Sequence, residues 1–269
     1  MKSLDMITEE AVKVKLKTKW LGNNIVYYEE TDSTNIRAKL LGEQGAESGT
    51  VVFAEKQTVG KGRKGRSWVS PKGTGIWMSL LLRPKVNVQH VSMMTIVAAL
   101  AVVKGLKESD FDCEIKWPND IVMHKKKICG ILTEISTEKE HIHYVVVGIG
   151  VNANTKKFPN NIEKTATSIY MEYKKKVARA KAATDILKAF EEYYEVFLKT
   201  EDVSALMNDY NQKLINIGNL VKIIENDHER ILKSRGIDEA GALLVTNELG
   251  EIERIIAGEV SVRGLYDYV

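Results

Sequence analysis

Aliphatic and β-branched runs, separated by turn-forming clusters, divide the chain into short strands and a few helices. The first two dozen residues carry Ile7, Val12, Val14 and Leu16 among lysines and predict a short leading helix. Ile25-Val26-Tyr27-Tyr28 predicts a strand. Thr31-Asp32-Ser33-Thr34-Asn35 then offers several N-cap residues ahead of a helix over 36–43. Thr50–Ala54 and Ile76–Leu82 are continuously apolar strand signals, the second closed by Arg83-Pro84, with a Gly-rich loop over 57–75 between them. Residues 90–106 are apolar nearly all round and predict a buried helix. A strand–turn–strand pattern follows over 121–123, 124–126 and 128–135, and 144–151 is apolar enough to be a central strand. Ile186, Leu187, Phe190, Tyr193, Tyr194, Phe197 and Leu198 fall on one face of an amphipathic helix.

From about Gly218 short strands recur at close intervals: 220–224, 229–233, 242–245, 251–256 and 260–263. They predict a small all-β unit, a barrel or sandwich. Hairpins and helices mix without strict βαβ alternation in the first part, so the fold class is α+β, with residues 1–216 forming the larger domain and 217–269 the smaller.

Composition is that of a globular chain, 44% hydrophobic and 28% charged. The N-terminal MKSLDMITEE carries three acids and no apolar run, unlike a secretory signal or a transit peptide. No stretch is read as a membrane span, and the two cysteines, Cys113 and Cys129, suit neither a zinc site nor a disulfide framework. A cytoplasmic chain with reduced thiols is the expectation.

Charge changes this bland picture. The net charge is only +3, yet no Asp or Glu occurs from Lys56 to Lys107, where ten basic residues lie. The remainder, 29 basic against 36 acidic residues, sums to −7. A like-charge block of this kind is either solvated or has an anionic partner.

At its centre stands Gly60-Lys61-Gly62-Arg63-Lys64-Gly65-Arg66-Ser67-Trp68. Its glycines satisfy the dinucleotide fingerprint by letter, but Trp-Val-Ser-Pro follows instead of a helix, and no acid stands some 20 residues on. The residues fit a loop that closes on a phosphate: glycines let backbone N–H groups approach oxygens, and the basic side chains add charge-assisted donors. Self-repulsion predicts disorder until an anion binds. Lys116-Trp117-Pro118-Asn119-Asp120 is a compact turn that gathers a cation, an amide and a carboxylate. Lys127 opens an apolar strand, where it either snorkels outward or points into a site. Gly148-Ile149-Gly150-Val151-Asn152 ends a central strand in glycines, a sign of close approach to the backbone.

In this order the motifs resemble those of the biotin protein ligases: Asp32–Asn35, Ala54-Glu55-x-Gln57, Gly60–Trp68, Lys116–Asp120, Lys127-x-x-Gly130-Ile131-Leu132 and Gly148–Asn152, then Ser234–Asp238, Gly241–Leu243 and Gly258–Arg263 in the small unit. The resemblance spans about residue 25 to the C-terminus. It implies a mixed-sheet catalytic domain related to class II aminoacyl-tRNA synthetases and lipoate ligases, followed by a small Src-homology-3-like β-barrel. The activity implied is ATP- and Mg²⁺-dependent formation of biotinyl-5′-AMP and transfer of biotin to a lysine of biotin carboxyl carrier protein, the partner in acetyl-CoA or pyruvate carboxylase.

By the family's pattern Ser33, Thr34, Asn35, Gln57, Gly60, Lys61, Arg63 and Gly130 serve biotin, with ureido hydrogen bonds from Thr34 and Gln57. Lys127 stands between biotin's carboxylate and the α-phosphate, and Arg63 joins it as the second catalytic residue. Arg66, Trp68, Lys116, Asn119, Asn152 and Arg263 serve ATP, and Asp120 serves Mg²⁺ or its water shell. Lys61 stands where the family usually has Arg, and Cys129 where a small residue is common. Only about two dozen residues precede the first strand, too few for the winged helix-turn-helix of the repressor-type relatives, so a ligase-only form without nucleic acid or membrane partners is expected, a homodimer being compatible with it. The rival readings are a lipoate-type protein ligase and a nucleic-acid-binding module that uses the basic window.

Overall fold

Two sheets organise the chain in the computed structural model, which describes residues 6–139, 141–225, 228–257 and 261–264. In chain order the elements are α1 (Glu9–Lys13), β1 (Ile25–Tyr28), α2 (Thr34–Glu43), β2 (Thr50–Ala54), β3 (Ile76–Leu82), α3 (Met94–Lys107), β4 (Glu114–Lys116), β5 (Asp120–Met123), β6 (Lys126–Glu138), β7 (His141–Val151), α4 (Ile169–Tyr173), α5 (Arg179–Thr200) and α6 (Ser204–Lys213). The smaller unit adds β8 (Leu220–Glu225), β9 (His228–Ile237), β10 (Leu243–Thr246), β11 (Ile252–Ile255) and β12 (Ser261–Gly264).

The large sheet runs β1-β2-β3-β7-β6-β5-β4. Its β1–β2 pair is parallel, joined by the α2 crossover, and the other pairs are antiparallel, which makes the sheet mixed. The small sheet, β11-β10-β9-β8-β12, is antiparallel throughout, as a Src-homology-3-like barrel requires.

Strand alternation gives the large sheet two different faces. Ile76, Met78, Leu80 and Leu82 of β3 and Val145, Val147, Ile149 and Val151 of β7 join the main core, beneath α3 and α5. On the opposite face Leu81, Tyr144 and Val146 pack under Ala38 of α2. That helix is short, so the rest of this face, where β7 carries Gly148 and Gly150, is left to the functional cavity.

Two sequence expectations need correction. Residues 90–106 are not one α-helix: a 3₁₀ segment, Val88–Met93, precedes α3. Together Val88–Lys107 are long and apolar enough to cross a membrane, which the sequence reading overlooked. Here they serve as a core helix, with Ala98, Ala101 and Val102 fully buried against the sheet and α5.

A buried ion pair fixes the chain just ahead of Gln57. Glu55 and Arg179 are each 2% exposed, and the guanidinium meets both carboxylate oxygens at 3.0 and 3.2 Å while also donating to the Gly75 carbonyl. Glu55 also accepts the Ile7 N–H at 2.9 Å. Removing one partner strands a buried charge, which costs roughly 3–5 kcal/mol. Arg179→Met is therefore expected to lower the melting temperature by on the order of 10 °C. A calorimetric scan showing an unchanged transition would contradict that role.

Candidate active site

A cavity of about 560 Å³ opens on the α2 side of the large sheet. Its floor is made by residues that alternation turns to this face: Trp77 on β3, Gly130 and Leu132 on β6, Gly148 and Gly150 on β7. The start of α2 forms one wall. Ser33 holds the N-cap position with extended backbone (φ −157°, ψ 135°), yet its hydroxyl makes no capping bond and lines the cavity instead. Burial pushes the Asp32 carboxyl up, but the Ser33 N–H at 2.6 Å, Thr31 and Arg37 outweigh it and hold that carboxyl below its ordinary value.

Neutral hydrogen-bonding groups gather here. Thr34 donates its backbone N–H to Gln57 Oε1 at 2.8 Å, and Gln57 Nε2 donates to Ser70 Oγ at 2.8 Å. Asn35 donates to Glu134 Oε2 at 2.9 Å, and Ser79 Oγ lies 2.6 Å from Asn35 Oδ1 and 2.7 Å from Thr34 Oγ1. Ser70, Ser79 and Glu134 escaped the sequence reading. The available signal was a lone serine in the otherwise apolar Ile76–Leu82 and a lone acid in the run 128–135.

The opposite wall is cationic. Among the described residues, Lys61, Arg63, Lys64, Arg66, Lys116 and Lys127 line the cavity with a single carboxylate, Asp120. Lys127 points inward because of a β-bulge: the register of β5 against β6 shifts between Ile121 and Val122, so Ile121 pairs with Cys129 but Val122 with Lys127. The extra residue lets Ile128 and Cys129, adjacent in sequence, both enter the core and turns Lys127 toward the site. Its backbone is held on both sides, the N–H by the Thr165 carbonyl and the C=O by the Thr167 N–H. Lys127 Nζ stands 2.6 Å from Asp120 Oδ1 and 5.1 Å from the centre of the Trp68 ring. Lys116 Nζ is 4.0 Å from the other Asp120 oxygen.

The glycine-rich loop is folded over this wall. Trp68 N–H bonds to the Gly60 carbonyl at 2.7 Å, and Lys61 bridges Ser67. Gly60 itself does not line the cavity among the described residues. A Cβ there would lie 2.3 Å from the Trp68 carbonyl, so its place is set by this close turn. Arg63 donates to Asn119 Oδ1 at 2.9 Å and to the Ala257 carbonyl of the small unit. Burial lowers the affinity of its guanidinium for the proton, Asp120 opposes that and Arg66 adds to it; a guanidinium stays charged regardless. Asn119 in turn donates to the Ile131 carbonyl, and Asn152 to that of Thr167.

Trp68 packs against Gly130 and Gly150 of the floor, with its indole N–H buried and without a partner among the described residues. A Cβ on Gly150 would sit 2.5 Å from that nitrogen. Gly150→Ala is therefore expected to displace the indole and change the tryptophan fluorescence of the folded chain, with little change in thermal stability. An emission spectrum identical to that of the wild-type chain would contradict this placement.

Of the residues singled out in the sequence, Ser33, Thr34, Asn35, Gln57, Lys61, Arg63, Arg66, Trp68, Lys116, Asn119, Asp120, Lys127, Gly130 and Asn152 all line this one cavity. Arg263 lies on β12, and its side chain falls outside the described residues. Much of the remaining basic window is neutralised by acids from elsewhere: Lys56 by Glu30, Lys72 by Glu29, Lys104 by Glu192, Lys107 by Asp112. Arg83 closes on the Gly42, Ala46 and His143 carbonyls. Of the window, Lys61, Arg63, Lys64 and Arg66 line the cavity. Both cysteines are buried thiols; burial pushes Cys113 up to about 12 and Cys129 well above its ordinary value.

The comparisons with known proteins agree with this geometry. Residues 27–152 match the biotin/lipoate A/B protein ligase family, and residues 221–263 match the biotin protein ligase C terminal domain. The bifunctional ligase/repressor BirA of Bacillus subtilis is 34% identical over 259 residues, which cover 95% of this chain and 79% of that protein. The chain belongs to the biotin protein ligase family. The biotin–[acetyl-CoA-carboxylase] ligase of Paracoccus denitrificans is 31% identical across 87% of this chain and 98% of its own length. The biotin protein ligase of Aquifex aeolicus, solved in complex with biotin and ATP, superposes with a TM-score of 0.80 at 32% identity, covering 90% of this chain and 99% of that one. The chain is accordingly an ATP-dependent ligase.

Proposed function

We propose that this ligase joins the carboxylate of biotin to the α-phosphate of ATP and then passes the biotinyl group to one lysine of a biotin carboxyl carrier protein, that of an acetyl-CoA or pyruvate carboxylase. The observation that carries the reading is the polarity of the cavity: six cationic side chains against one carboxylate at one end, neutral donors and acceptors at the other. Such a cavity suits a ligand with a neutral polar ring and an anionic tail, beside a polyanion.

In the first half-reaction a carboxylate oxygen attacks the α-phosphorus, a P–O bond forms, and pyrophosphate leaves with the electron pair of the broken P–O bond. Two like-charged groups must meet, so the main task is neutralisation and alignment. Lys127 is assigned to the meeting point, and Lys61, Arg63 and Arg66 to the anions as the loop closes. Thr34 and Gln57 are assigned to the ureido ring, and Trp68 to the adenine. In the second half-reaction the neutral lysine amine of the carrier attacks the acyl carbon, AMP leaves, and the amine loses a proton.

Among the described residues no group of three or more His, Cys, Asp or Glu side chains could cage a metal. Asp120, already beside two lysines, fits a Mg²⁺ that arrives on the triphosphate and takes one carboxylate at most. That ion would offset phosphate charge. We assign residues 1–216 to the catalytic domain and 217–269 to the small one.

The first half-reaction can be tested alone. Pyrophosphate release with ATP is expected to require biotin and to fall to background with lipoate in its place. Release that depends on lipoate instead would overturn the biotin reading.

A further inference from the structure

An unbroken run of hydrogen bonds leads from Glu134, which does not line the cavity, to Thr34, which does. Glu134 Oε1 takes the Lys39 ammonium at 2.9 Å, and its Oε2 accepts Asn35 Nδ2 at 2.9 Å. With its amide nitrogen held on that side, where it also reaches the Leu132 carbonyl at 3.4 Å, Asn35 turns its oxygen to Ser79. Burial pushes the Glu134 carboxyl up, but Asn35 and Lys39 outweigh it and hold that carboxyl below the ordinary value, so the group is an acceptor only.

Counting protons then fixes the direction of the rest. Ser79 and Thr34 hold one hydroxyl proton each, for three oxygen–oxygen contacts: Ser79 to Asn35 Oδ1 at 2.6 Å, Ser79 to Thr34 at 2.7 Å, and Thr34 to Gln57 Oε1 at 3.1 Å. Asn35 Oδ1 has no proton to give, so Ser79 donates to it. The Thr34 proton then goes inward, to Ser79 Oγ or to Gln57 Oε1, which also accepts the Thr34 backbone N–H at 2.8 Å. Thr34 therefore spends its donor inward and offers only lone pairs to the cavity.

We propose that Glu134 and Ser79 are positioning residues that fix the Thr34 hydroxyl as a hydrogen-bond acceptor, so that the site selects ring ligands presenting an N–H at that point. The proposal rests on the biotin reading of this end of the cavity and deepens it: the ureido N–H is the group selected. Without Glu134 the Asn35 amide is free to turn over, Ser79 can donate to Thr34, and the Thr34 proton can swing toward a ligand acceptor. Gly148 guards the same arrangement, since a Cβ there would lie 2.0 Å from Asn35 Oδ1.

Equilibrium binding to the full chain without ATP tests this apart from the chemistry. The probes are biotin and its two cyclic carbamate analogues, in which one or other ring N–H is replaced by oxygen. The wild-type chain is expected to reject one analogue by about 100-fold or more, because its oxygen would face an acceptor. In Glu134→Leu and in Ser79→Ala that ratio is expected to fall by about tenfold, with Glu134→Gln, which keeps an acceptor oxygen, restoring most of it. Ratios that stay at the wild-type value in both folded variants would overturn the role given to Glu134 and Ser79. Failure of the wild-type chain to bind biotin at all would overturn the biotin reading itself.

Discussion

Lys127→Ala is expected to slow formation of biotinyl-5′-AMP by about a thousandfold while the chain stays folded. Two unit charges 4 Å apart interact by about 4 kcal/mol at an effective dielectric of 20, and each 1.36 kcal/mol is a factor of about ten in rate. A carboxylate and an α-phosphate brought together without an intervening cation face a penalty of that size. The fold should survive because the backbone of residue 127 is held by Thr165 and Thr167, which the substitution does not touch. Asp120, deprived of one lysine, still has Lys116 beside it. Pre-steady-state pyrophosphate release is the check. The loss should appear in the rate at saturating biotin and ATP; a purely KM effect would mean that Lys127 only binds.

Arg63→Gly is expected to have the other large effect, on retention rather than formation. Arg63 ties the glycine-rich loop to Asn119 and to the small unit at Ala257. Hydrogen bonds from a charged group contribute about 1.5–3 kcal/mol each, so losing both should speed escape of the mixed anhydride by about 100-fold or more. Free biotinyl-5′-AMP acylates any exposed amine, so the variant should label bystander proteins. Chasing preformed intermediate with unlabelled biotin measures the release rate directly. Labelling confined to the carrier would show that loop closure is not what holds the intermediate.

The sequence made the elements and most of the cavity legible because both are written in local patterns. Apolar runs marked the central strands, and motif residues scattered from Ser33 to Asn152 converge on one face of one sheet. What stayed hidden depended on pairing. The direction of Lys127 is set by a one-residue bulge between β5 and β6, which no single strand's alternation reveals. Ser79 and Glu134 matter through partners 44 and 99 residues away. The basic window looked like one feature in sequence, yet Lys56, Lys104 and Lys107 on its flanks meet Glu30, Glu192 and Asp112 outside it, while the loop lies at the cavity. Gly60 and Gly150 read as ligand contacts or strand ends until the backbone and indole that crowd them were placed.

The most direct test is transfer of labelled biotin to a biotin carboxyl carrier domain in the presence of Mg²⁺ and ATP. Label should accumulate on one lysine of the carrier, with one AMP and one pyrophosphate released per biotin attached. A carrier that stays unlabelled, or is labelled without ATP, would contradict the assignment of this cavity to biotin activation and transfer.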